Sequence, residues 1–98
     1  MLITFINKAV AIGATGLEIE YRDGMEWIYA MQEQVGVGIG SIESRNSKPL
    51  FEEMETLKRK KEITVSGQLY RLRFSKYEIF GEWHHRIQWK KKQDRKTK

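Results

Sequence analysis

Leu17-Glu-Ile-Glu-Tyr-Arg-Asp-Gly-Met-Glu-Trp-Ile-Tyr-Ala-Met31 decides the fold. Asp23-Gly24 is a turn signal between two runs of strand-forming residues. Read as a three-residue loop, Arg22-Asp23-Gly24 pairs Tyr21 with Met25, Ile19 with Trp27 and Leu17 with Tyr29. All six side chains then share one apolar face, and Glu18, Glu20 and Glu26 share the other. A half-buried antiparallel hairpin is the element from which the rest is placed.

Upstream, Leu2, Phe5, Ile6, Ala9 and Val10 recur at helical spacing, with Gly13 suited to follow the helix end. Downstream, Val35–Ile42 continues as a strand whose Gly36, Gly38 and Gly40 should lie on one face. Pro49 suits a helix first turn, and Leu50, Met54 and Leu57 form its apolar stripe. Acids early and Lys58–Lys61 late in that helix complement its dipole. Ile63–Val65 is a short strand. Tyr70, Leu72 and Phe74 alternate before a reversal at Phe80-Gly81, and Trp83, His85, Ile87 and Trp89 alternate after it. A two-residue loop there pairs Phe74 with Ile87, and a bulge near Ser75–Tyr77 is expected because Tyr77 and Ile79 fall out of phase. The expected fold class is α+β, in the order α-β-β-β-α-β-β-β: a single domain over residues 1–89 with a curled antiparallel sheet and two helices on one face.

The chain has 98 residues and a formal net charge of +5. Lys90–Lys98 contains six basic residues and one acid, so Met1–Trp89 is neutral. That stretch reads as a basic, flexible C-terminal tail. There is no cysteine, which excludes a disulfide framework, a cysteine zinc site and a thiol nucleophile. The apolar stretch Met1–Ala14 is interrupted by Asn7 and Lys8 and falls short of the roughly 20 residues of a spanning helix. It also has no basic run before it. The expectation is a cytoplasmic protein with no membrane partner.

Candidate chemistry is sparse. The Gly36–Gly40 run lacks the Gly-Lys-Ser/Thr and helix mouth of a phosphate loop. It reads instead as close access for a helix. His84 and His85 are adjacent on a strand and point to opposite faces, so no metal site is assigned; His84 is expected to be exposed beside Arg86. Glu18, Glu20 and Glu26 resemble a carboxylate cluster, but a hairpin's outer face offers no cleft. No catalytic residue and no cofactor is assigned, and the chain is read as non-enzymatic. Arg71, Arg73, Arg86, Lys90, Lys91 and Lys92, with Tyr77 as the one ring near them, form the candidate nucleic-acid-binding set.

Ala9-Val-Ala-Ile-Gly13-Ala14-Thr15-Gly16-Leu17-Glu18-Ile19-Glu20 resembles the helix–strand junction of the N-terminal domain of type II secretion and type IV pilus assembly ATPases, which reads A-x-x-x-G-A-S-D-I-H-I-E. Ala9, Gly13, Ala14, Ile19 and Glu20 match, whereas Gly16 and Glu18 replace an Asp and a His. The resemblance covers these twelve residues and implies a similar α-β-β start, not ATP hydrolysis. Three functions follow in order: a small module for protein–protein interaction, including a homodimer; nucleic-acid binding through the last hairpin and tail; and a stand-alone relative of that N-terminal domain.

Overall fold

The computed structural model describes residues 1–92. Its elements are α1 (Leu2–Ala11), β1 (Gly16–Arg22), β2 (Met25–Gln32), β3 (Val35–Glu43), a 3-10 turn (Ser44–Asn46), α2 (Lys48–Lys60), β4 (Glu62–Val65), β5 (Gln68–Ile79) and β6 (Glu82–Lys91). The α-β-β-β-α-β-β-β order is as read from the sequence. The six strands form one curled antiparallel sheet in the order β3-β2-β1-β6-β5-β4. Each half of the chain is a helix followed by a meander, and β1 joins β6 at the centre.

Both helices pack on one face. Leu2, Ile6 and Ala9 of α1 and Leu50, Met54 and Leu57 of α2 meet Leu17, Ile19, Ile28, Ala30, Leu72 and Ile87 of the sheet. Seven of the bulkiest core side chains are sealed from solvent, so this layer supplies the main apolar burial. The helices are also tied together: Glu53 Oε1 of α2 accepts the Leu2 and Ile3 amides at 3.0 and 3.3 Å. It caps amides that α1 leaves unpaired at its first turn.

Three local expectations are corrected. The first turn has two residues, Asp23 and Gly24, both at positive φ (53° and 77°), so the pairs are Leu17–Ala30, Ile19–Ile28 and Tyr21–Glu26. Such a primed turn matches the twist of its strands, and one residue of register exchanges the faces. Trp27 and Tyr29 therefore lie opposite the helices with Glu18 and Glu20, while Glu26 is buried and accepts the Ser44 hydroxyl at 2.8 Å.

The bulge lies in β3, not β5: pairing shifts between Ile28 and Tyr29, whereas β5–β6 is continuous from Tyr70–Lys91 to Ile79–Glu82 and includes Phe74–Ile87. Because of that shift the glycines do not share a face. Gly36 and Gly38 lie against Met31 and Tyr29, and Gly40 alone faces α1. Third, β6 runs through Lys91, two residues into the stretch read as tail. The rest of that stretch, residues 93–98, lies outside the described residues.

Gly40 is where the close helix approach is real. A Cβ there would sit 2.5 Å from Phe5 Cε1, whereas one at Gly38 would meet only ordinary contact with the Tyr29 ring at 3.8 Å. Gly40→Ala is expected to destabilise the fold by about 1–3 kcal/mol through overpacking. Gly38→Ala is expected to be neutral or mildly stabilising. Thermal melts of the two variants check this, and Phe5→Leu should partly rescue Gly40→Ala if the ring is the obstacle.

Candidate functional site

The face of the sheet away from the helices carries two polar groups of side chains. The first is made by the central ladder. β1 pairs with β6 so that Glu18 lies opposite Arg86 and Glu20 opposite His84, and β5 places Tyr77 beside His84. Side chains alternate across a strand, so these five point to the same side. Glu18 is only 5% exposed and His84 only 9%, although no helix covers them.

Side chains supply the cover instead. Arg86 Nε donates to Glu18 Oε2 at 2.8 Å, and its Nη2 donates to the same oxygen. The Tyr77 ring stacks on His84 at 5.1 Å and 17°, with the Arg86 guanidinium 5.5 Å from the Tyr77 centroid. On the β2 side, Arg22 lies 5.0 Å over Trp27 and donates to the Tyr29 hydroxyl at 3.4 Å. Cation–π contacts of this kind hold long side chains flat on a sheet. His84 is thus buried, not exposed beside Arg86: the stacked Tyr77 ring covers it.

The electrostatics of this group are strained. Burial pushes the Glu20 carboxyl above its ordinary range, and the neighbouring Glu18 carboxyl adds to the shift, against the pull of His84 and Arg22. Burial also raises the Tyr77 hydroxyl, which lies within reach of Glu18. The hydrogen bonds to Glu18 hold the Arg86 guanidinium more firmly protonated. His84 Nδ1 is sealed from solvent, has no hydrogen-bond partner among the described residues and faces Glu20 Oε2 at 3.7 Å. His85 sits on the helix side against the Phe51 ring at 5.0 Å. Burial, with Lys76 and Lys58 nearby, lowers its basicity.

The second group lies further along the same face. Arg71, Arg73 and Lys90 line an open cleft of about 430 Å³ together with Thr15, Gln88 and the strand segments at Leu72 and Trp89. Among the described residues these three basic groups make no salt bridge. The sequence-derived set is therefore divided. Arg71, Arg73 and Lys90 come together, and Arg86 is held by Glu18. Lys92 is held by Glu62 at 2.8 Å, and Lys91 lies on the opposite side of β6 from Lys90. Tyr77 is near Arg86, but His84 and Arg86 already occupy its ring. Acids interleave with the basic residues: Glu18 opposite Arg86, Glu62 opposite Arg71.

Sequence reasoning missed the grouping of Glu18 and Glu20 with His84. The spacing of Glu18 and Glu20 on one strand was visible; the β6 partner was not. No family model matches the chain, and a search of curated proteins found no relative.

Two substitutions test these forces. Arg86→Met leaves a buried carboxylate without its cation and is expected to cost about 1–3 kcal/mol, reduced from a fully buried pair because Arg86 is partly exposed. Glu20 binds its proton more tightly folded than unfolded, so its ionisation subtracts stability as pH rises from 4.5 through the raised folded value. Glu20→Gln is therefore expected to melt higher than the natural chain at pH 7, with the gap closing by pH 4. Thermal melts at the two pH values measure both effects.

Proposed function

We propose that the protein is a small interaction module whose partner is a second copy of itself, docked through the free edge of β3. The observation that carries this reading is the edge itself. β3 is nine residues long and, among the described residues, pairs with β2 on one side only. Its run from Val35 to Ile42 has no charge and no proline. Natural edge strands are blunted by shortness, charge, proline or cover. The opposite edge follows that rule: β4 has four residues and carries Glu62 in a salt bridge to Lys92.

An uncharged strand pairs antiparallel with its own copy about a two-fold axis without like-charge repulsion. Val35 is 65% exposed and Val37 44%. Exposed Ile12 stands near them, because its carbonyl accepts the Gln32 side-chain amide at 2.8 Å and Gln32 pairs with Val35. Pairing would remove this apolar edge from water along with the unpaired backbone groups. The acids that interleave with Arg71 and Arg86 support a protein partner over a nucleic acid. No helix among the described residues is long and apolar enough to cross a membrane. With the absence of cysteine, that supports a place in the cytoplasm.

A second reading, nucleic-acid binding, is favoured by Arg71, Arg73 and Lys90 around one cleft. It requires salt-sensitive affinity for single-stranded DNA or RNA that Arg71→Glu with Arg73→Glu removes.

Sedimentation at micromolar concentration is expected to find a dimer, and Val37→Lys a monomer with unchanged circular dichroism. A monomeric natural chain, or a dimer indifferent to Val37→Lys, overturns the β3 reading.

A further inference from the structure

We infer that Glu18, Glu20 and His84 form a binding site for one divalent transition-metal ion, independent of the β3 edge. Each residue offers one donor atom, and the three atoms lie within 4.8 Å of one another. Donors around a tetrahedral zinc at 2.0–2.2 Å are about 3.4 Å apart, so the trio must contract by up to about 1.4 Å. Glu20, with its side chain 27% exposed, has the room to move.

The second observation is the orphaned nitrogen. The His84 side chain is 11% exposed, and its Nδ1 is sealed from solvent without a hydrogen bond among the described residues. A buried polar atom in a folded protein ordinarily has a partner, and each exception calls for a cause. This one points at the Glu20 carboxylate from 3.7 Å, too far for a hydrogen bond and suited to an ion between them.

The donor chemistry selects the ion. One imidazole nitrogen with two carboxylates suits zinc, manganese or iron(II). Three protein donors are too few for the oxygen cage of calcium. Arg86 does not close the site: both of its bonds go to Glu18 Oε2, which leaves Glu18 Oε1 as a donor. It acts as an outer partner that fixes a ligating carboxylate. Glu18 and Glu20 with Arg86 carry one net negative charge when ionised, which an added cation offsets. Three protein donors leave the remaining positions to water, the arrangement of an open rather than a closed zinc site.

The test is calorimetric titration of the full chain with Zn2+ after chelator treatment and dialysis, with Co2+ absorption as a second probe. One ion per chain is expected. Glu20→Gln and His84→Asn should each weaken binding by more than about tenfold, while His85→Asn leaves it unchanged. Nitrogen NMR of the unaltered chain gives a readout that needs no variant: Zn2+ should shift His84 Nδ1 and not the ring nitrogens of His85. Absence of binding at millimolar Zn2+, binding indifferent to both ligand variants, or a shift at His85 alone overturns the site.

Discussion

The pairing of β1 with β6 is the contact on which the rest of the molecule depends. It joins a meander from the first half of the chain to one from the second, between residues about 70 apart in sequence. The approach is tight. At Gly16 a Cβ would meet the Ile87 carbonyl at 2.8 Å, so a side chain there would push the strands apart. The same seam is reinforced from both ends of the chain: the Thr15 carbonyl accepts the Trp89 amide at 3.1 Å, and the Ala14 carbonyl accepts the Trp89 indole N–H at 3.1 Å. Without this ladder the two helices would have no common sheet to share.

That seam also creates the chemistry. On the helix side it packs Leu17 against Ile87 and places Ile19 beside His85, in line with the core. On the other side it sets Glu18 against Arg86 and Glu20 against His84. Opposite charges across a ladder are favourable. A second carboxylate beside the first is not, and a histidine brought in without a hydrogen-bond partner adds to the strain. The polar group is kept by geometry that the apolar face imposes, since a shift of one residue to relieve it would turn either Leu17 and Ile19 or Ile87 toward solvent.

Much of this was visible in the sequence where local pattern and turn chemistry agree. The α2 stripe of Leu50, Met54 and Leu57 behind Pro49 and the Phe80-Gly81 reversal pairing Phe74 with Ile87 were both readable. The first hairpin was readable as a hairpin but not in register. β2 is apolar on both phases except at Glu26 and its last residue, Gln32, so alternation did not choose its face, and the positive φ of Asp23 and Gly24 did. The glycine run was readable as access for a helix, but the bulge decides that Gly40 alone serves it. The exposed Phe80, at φ 52° in its turn, has no structural contact that accounts for it.

By itself, then, the sequence determined the α+β class, the order of the elements, the helix faces and the neutral balance of Met1–Trp89. These follow from periodicities and charges that short stretches carry. Tertiary structure alone decided that Glu18 and Glu20 face His84, that Arg86 is spent on Glu18, that Arg71, Arg73 and Lys90 share a cleft, and that β3 is an open edge. Those facts depend on which strands become neighbours. Strand order is set by how two separate apolar faces close over one core, and no local spacing encodes that choice.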